Sequence, residues 1–224
     1  MTGRVIAIGD VHGCNSALSA LINAVQPCPS DTIITLGDLI DRGPDSRRVL
    51  DRVMDLQVHC RLVPIMGDHE AMLLDALTDS TKIERWLRCG GTETLNSYGW
   101  KPGSSKQQLK DWIPGPHRDF LAGCRHYYET SKHIFMHAGF QPELPMKEQP
   151  MEALLWRALD PKSAAPHCSG KVAVVGHSPQ RNGNVLDLGH LIGLDTNCVR
   201  GGWLTALEVG TGQIWQADSA GRLK

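Results

Sequence analysis

No hydrophobic run in the sequence approaches the ~20 residues that a membrane span needs. The short apolar stretch at 4–8 runs straight into Gly9-Asp10 without a cleavage-like site. A cytoplasmic protein with no membrane partner is expected. Charge of one sign is lacking too: 23 Lys and Arg face 24 Asp and Glu, a formal net charge of -1. Nucleic acid is therefore not an expected partner, because binding to a phosphate backbone draws mainly on a cationic surplus. Paired cysteines are missing as well. The seven cysteines are an odd number, scattered from Cys14 to Cys198 with no CxxC spacing, which predicts reduced thiols. No internal repeat, low-complexity tract or linker divides residues 1–224 into independent units, so they read as one domain, expected to be a monomer. What is present is a chain of 224 residues, 41% hydrophobic and 21% charged, enough to bury one sizeable core. It carries ten histidines beside only three tyrosines and three phenylalanines, and histidine suits metal and proton-transfer sites.

Short β-rich runs recur at 4–8, 32–36, 61–66, 133–136, 171–175, 191–194 and 204–209, each bounded by Gly, Asp or Pro. Helical stretches separate the first three. Asn15 is the expected N-cap of a helix running to about Val25, and Pro44-Asp45 is expected to open another that ends near Leu56. The β-α-β-α-β order predicts an α/β fold with a buried, largely parallel sheet whose ligand site lies at the carboxyl ends of its strands. The second half is richer in strands, with one helix expected over 151–159, and predicts a second, mixed sheet packed on the first. Residues 78–130 read as a helical excursion, with Trp86 and Trp112 in its core and turn clusters at 102–105 and 114–116.

Acids and histidines fall at the ends of these strands. The runs close on Gly9-Asp10-Val11-His12-Gly13, on Gly37-Asp38-Leu39-Ile40-Asp41-Arg42-Gly43, on Gly67-Asp68-His69-Glu70, on His137-Ala138-Gly139 and on Gly176-His177. A parallel sheet delivers neighbouring carboxyl ends to one edge, so Asp10, His12, Asp38, Asp68, His137 and His177 are expected to converge. That mix of carboxylate and imidazole suits Mn²⁺, Fe or Zn²⁺. The remaining histidines, His59, His117, His126, His133, His167 and His190, are expected to be structural or on the surface.

Taken together and in this order, GDVHG, GDLIDRG, GDHE, HAG and GHSP resemble the signature of the phosphoprotein phosphatase family of calcineurin-like metallophosphoesterases. Residues 86–98 (WLRCGGTETLNSY) and 195–207 (DTNCVRGGWLTAL) are similar to segments of its small bacterial and bacteriophage serine/threonine phosphatase branch. The resemblance implies a four-layer α/β/β/α sandwich with two mixed sheets. It implies two divalent ions, Mn first and Fe or Zn as alternatives, the first bound by Asp10 and His12, the second by Asp68, His137 and His177, with Asp38 shared. By the same resemblance a water between the ions attacks phosphorus in line, His69 protonates the leaving alkoxide, Asp41 holds the imidazole, and Arg42 clamps the phosphate. Arg157 is the expected second clamp, and Tyr98, near Gly90-Gly91, is expected to border the substrate cleft.

The family has Asn where this chain has Asp68. A third carboxylate beside Asp10 and Asp38 lowers the formal charge of a two-ion site from about +2 to about +1, which predicts tighter hold on the second ion and an alkaline shift in activity. The expected substrate is a phosphorylated protein or small phosphoester, phosphoserine or phosphothreonine first with broad specificity, because Asp41 keeps an acid beside the catalytic His. Dinucleoside polyphosphate cleavage, as of diadenosine tetraphosphate, is the alternative. A slow or degenerate phosphoprotein-binding module, suggested by Asp68, is the lesser one.

Overall fold

The computed structural model describes residues 3–101, 103 and 109–224. In chain order the elements are β1 (Val5–Ile8), α1 (Asn15–Val25), β2 (Thr32–Thr35), α2 (Ser46–Asp55), β3 (Arg61–Pro64) and α3 (Asp68–Thr78). There follow α4 (Ile83–Trp86), α5 (Thr92–Ser97), α6 (Leu109–Trp112), α7 (Gly115–Ala122), β4 (Tyr127–Glu129), β5 (His133–Met136) and α8 (Met151–Trp156). The chain closes with β6 (Val172–Val175), β7 (Leu186–Asp187), β8 (Leu191–Gly193), β9 (Leu204–Glu208) and β10 (Ile214–Ala217).

These strands form two mixed five-stranded sheets, ordered β10-β9-β1-β2-β3 and β4-β5-β6-β8-β7. In the first, β1, β2 and β3 are parallel, with Val5 opposite Thr32 and Thr32 opposite Arg61. In the second, β5, β6 and β8 are parallel, with His133 opposite Val172 and Ala173 opposite Leu191. Parallel pairing needs a crossover between strands, and α1 and α2 supply it in the first sheet.

Alternation along the strands sorts the core into three layers. Ile6, Ile8 and Ile33 turn towards α1, α2 and α3. The residues between them, Ala7 and Ile34, face the other way and meet Phe135, Val174 and Leu194 of the second sheet. Ile134, Met136, Ala173 and Val175 leave the second sheet on its far side, against Leu154 of α8 and Met146. The result is helices, sheet, sheet, helix, as the resemblance implied, with the central strands buried on both faces. Each fully buried aliphatic side chain in these layers contributes about 1.5–3 kcal/mol.

The differences from expectation have physical reasons. Asn15 is the first helical residue of α1 rather than its cap, which is Cys14, and its Oδ1 accepts from Arg52 Nε at 3.1 Å. The helix expected over 151–159 stops at Trp156, where Arg157 takes extended backbone at φ -74, ψ 105. β4, β7 and β10, which the pattern of apolar runs did not reveal, are all sheet edges; with one side unpaired they need no continuous apolar run. The excursion is helical through α4 to α7 but ends in β4. Pro114 caps α7 as the turn cluster at 114–116 suggests, while of the cluster at 102–105 only residue 103 lies within the described residues. Among the described residues all seven cysteines are free, and no helix is long and apolar enough to cross a membrane.

Candidate metal and catalytic site

Both parallel triads deliver their carboxyl ends to one edge of the sandwich. The loop after β1 is sewn to the loop after β2, because the backbone N–H groups of Val11 and His12 both donate to the Asp38 carbonyl, at 3.0 and 2.7 Å. Glu70 anchors the next junction. Its buried carboxylate accepts from the backbone N–H of Asp38 (2.7 Å), Leu39 (2.8 Å), Ile40 (3.3 Å) and Gly67 (2.9 Å). Gly67 is required there, since a Cβ at that position would fall against the Asp38 and Glu70 carboxylates. Backbone conformation is costly at this edge. Among the described residues seven non-glycine residues have positive φ, and five of them are His12, Asp38, Asp41, Arg42 and His177. Concentration of such conformations in one place is a common mark of a functional site.

Two groups of donor atoms result, each within 4.8 Å: Asp38, Asp68, His137 and His177, and His12, Asp38 and His69. In the first, His137 Nε2 lies 3.0 Å from Asp68 Oδ1, 3.4 Å from Asp38 Oδ1 and 3.1 Å from His177 Nδ1. In the second, His12 Nε2 lies 3.3 Å from Asp38 Oδ2. Backbone carbonyls set both tautomers: His12 Nδ1 donates to Ile40 O at 2.9 Å and His137 Nδ1 to Leu36 O at 2.7 Å, so each Nε2 is turned inward as a ligand atom. Asp10 is in neither group. Its carboxylate accepts from the His177 backbone N–H at 3.2 and 3.0 Å and faces Asp195.

The electrostatics fit a cation. Burial, then the neighbouring carboxylates, push Asp10 and Asp38 well above the usual carboxylate range, and burial raises Glu70 and Asp195. For His137 burial alone acts downward, but the hydrogen bond to Asp68 and the charges of Asp10 and Asp68 outweigh it and raise it to about 9. Asp68 is the converse: burial acts upward, and the hydrogen bonds to His137 and His177 hold it well below the usual range. Buried acids that repel one another, and an imidazole pair sharing one carboxylate oxygen, form a donor set suited to divalent metal.

Beside it stands a dyad. His69 is fully buried, its Nδ1 is 2.7 Å from Asp41 Oδ2, and its Nε2 has no hydrogen-bond partner among the described residues. Asp41 is saturated with donors: Trp86 Nε1 reaches Oδ2 at 2.9 Å and Thr94 Oγ1 reaches Oδ1 at 2.6 Å. Arg42 is solvent-facing, with Nη1 donating to His12 Nε2 at 2.6 Å and its backbone N–H donating to Gly90 O.

Two expected site residues lie elsewhere. Arg157 directs Nη1 to the Phe140 carbonyl at 3.2 Å and lines a cavity of about 270 Å³ that has no residue in common with the cavity at the cluster. Expected as a second clamp, it follows the end of α8 on extended backbone and does not line the cavity at the cluster. Tyr98 does not border the cluster. Its hydroxyl bonds His117 Nδ1 at 2.6 Å, and His117 Nε2 bonds Asp51, so the ring ties α7 to α2. In turn, sequence reasoning passed over Glu70, Trp86, Thr94, Asp195 and Arg200. Asp195 follows β8 as the other acids follow their strands, so the strand-end rule could have found it. Trp86 and Thr94 lie in the family-like segment 86–98, but the strand-end rule says nothing of them, because they come from the excursion.

A two-sheet sandwich with a buried carboxylate and imidazole centre at its strand ends defines a metal-dependent phosphoester hydrolase. The chain belongs to the calcineurin-like phosphoesterase family, whose model matches residues 3–199. It is 28% identical over 220 residues to serine/threonine-protein phosphatase 1 of Salmonella typhimurium, covering 92% of each chain. It is 34% identical over 136 residues to a symmetrical bis(5'-nucleosyl)-tetraphosphatase of Paracidovorax citrulli, with 60% of this chain matched but only 44% of that enzyme. The chain thus spans under half the length of that tetraphosphatase. Among solved structures it resembles one provisionally assigned as a diadenosine tetraphosphatase, with TM-score 0.70, 26% identity and coverage of 97% of this chain and 94% of that one.

Proposed function

We propose that the chain is a phosphomonoester hydrolase acting on phosphoserine and phosphothreonine in proteins, with broad specificity. The observation that carries this reading is the Asp41–His69 dyad beside the metal-type cluster. Trp86 Nε1–H and His69 Nδ1 both meet Asp41 Oδ2, at 2.9 and 2.7 Å. In this reading His69 Nδ1–H donates to Asp41, which orients the ring. That leaves the Nε2 proton, which has no partner among the described residues, to pass to the serine or threonine oxygen as its bond to phosphorus breaks, a transfer worth about 10²–10⁴-fold. The proton returns from solvent after the product leaves.

Arg42 would bind the phosphoryl oxygens, its planar fork suited to meeting two of them at once. Asp10, His12 and Asp38 would hold one divalent ion, and Asp38, Asp68, His137 and His177 the other, with manganese the metal favoured by this carboxylate and imidazole set. When bound, such ions supply Lewis-acid polarisation of the phosphoryl oxygens and of the attacking water. Likeness over the full length to a serine/threonine phosphatase supports this reading. Dinucleoside polyphosphate cleavage is the second reading, favoured by the likeness to tetraphosphatases.

A metal-reconstituted assay with Mn²⁺, Zn²⁺ and Mg²⁺, comparing a phosphoserine peptide, a phosphotyrosine peptide and diadenosine tetraphosphate at equal concentration, decides between them. The phosphoserine peptide is expected to have the highest kcat/KM. Dominant cleavage of the tetraphosphate would overturn the choice.

A further inference from the structure

Two cavities open beside the metal-type cluster and share a wall. One, of about 350 Å³, is lined by His12 and His177 and by Arg42, Arg181 and Arg200. The other, of about 450 Å³, is lined by Arg42, Arg88, Arg200 and Glu93. Arg42 and Arg200 belong to both, so the two form one trough that extends to either side of the clamp. Arg42, Arg88, Arg181 and Arg200 are all solvent-facing, and among the described residues none of them pairs with a carboxylate; the arginines that do, Arg4, Arg48 and Arg222, are elsewhere.

Hydrolysis of one phosphoryl group occupies Arg42 and leaves three guanidinium groups over. Four cations face only two acids in the trough, Glu93 and Asp195, and Asp195 is buried against Asp10. Guanidinium recognises carboxylate or phosphate with two parallel N–H donors. The described lining residues include no Trp, Tyr or Phe, hence no broad apolar ring for a nucleobase to stack on, the usual way a protein holds a splayed base. A trough that runs to both sides of the scissile group suits an extended chain rather than a compact end group.

We propose that this trough is a docking groove for phosphopeptides whose Asp or Glu side chains flank the phosphorylated residue, read by Arg88, Arg181 and Arg200. The proposal rests on the protein-phosphatase reading above. It is tested on the metal-loaded enzyme with two phosphoserine peptides that differ only in flanking Asp and Glu against Asn and Gln. The acidic peptide is expected to have about tenfold higher kcat/KM, through KM, since each exposed charge pair contributes modestly. The preference should shrink as salt rises from about 0.05 to 0.5 M. It should fall to near parity in the Arg181→Ala/Arg200→Ala double variant and persist in Arg181→Lys/Arg200→Lys, which keeps the charge. Equal kcat/KM for the two peptides in the wild type, or an undiminished ratio in the double Ala variant, overturns the groove while leaving the phosphatase reading standing. Cleavage of diadenosine tetraphosphate with no turnover of either peptide overturns the phosphatase reading, and the groove with it.

Discussion

Asp41 accepts from His69, Trp86 and Thr94 while its own backbone N–H donates to Ser46 and Thr94. With Nδ1 of His69 against Asp41, Nε2 is the ring nitrogen left without a partner among the described residues. Asp41→Asn removes the negative charge beside His69, while its amide oxygen can still accept from Trp86 and its N–H can turn to the Thr94 hydroxyl. The expected outcome is a fall in kcat of about 10²-fold or more with bound metal unchanged, measured by steady-state kinetics beside elemental analysis. Activity within a factor of about two of wild type would remove His69 from the chemistry. At this scale much of the site was legible: each acid or imidazole of the cluster follows a strand, and a strand end has one place to go in a parallel sheet. Trp86 and Thr94 were not legible, because an indole at a helical position looks like core, and here it is core and hydrogen-bond donor together. The position of Arg157 was not legible for a related reason, since it depends on where a six-residue helix stops, and helix ends are weakly encoded.

The first two strands show how a local charge pair is used to set an element's start. Asp31, almost fully buried at the entry to β2, accepts from the Arg4 backbone N–H (2.9 Å), from Arg4 Nη2 (2.6 Å) and from the Cys28 N–H (3.0 Å). The Arg4 guanidinium, assisted by those N–H groups, holds the Asp31 carboxyl well below the usual carboxylate range. A depressed value in the fold means stabilisation that is present above the unfolded value, about 4, and is lost as pH falls below it. Urea midpoints measured from about pH 5 down to pH 2 should therefore drop more steeply for wild type than for Asp31→Asn, by about 1 kcal/mol in total for a partly exposed pair. Parallel curves would contradict this role. Elements with apolar runs, β1, β2, β3, β5, β6, β8 and β9, were readable from sequence within a residue or two. Of the four edge strands β3 was readable, while β4, β7 and β10 were not, because they are short or half-exposed and carry no apolar run.

Over the whole molecule, each sheet brings half of the site: Asp10, Asp38 and Asp68 come from the first, His137, His177 and Asp195 from the second. Neither half is a site without the sheet-to-sheet packing of Ala7, Ile34, Phe135 and Val174 that holds them together. The balanced net charge of the chain conceals this local concentration of buried acid, which repels itself unless cations neutralise it. Within the excursion, Trp86 and Thr94 hold Asp41 and the Gly90 carbonyl holds the Arg42 backbone, while Arg88 lines the trough proposed above. The central claim is that Asp and His side chains from both sheets hold a pair of metal ions. Its most direct measurement is elemental analysis of the Mn²⁺-loaded protein after exhaustive dialysis, compared with His137→Ala. About two ions per chain are predicted in the wild type and about one in the variant; a wild type that retains none, or a variant that retains two, would contradict it.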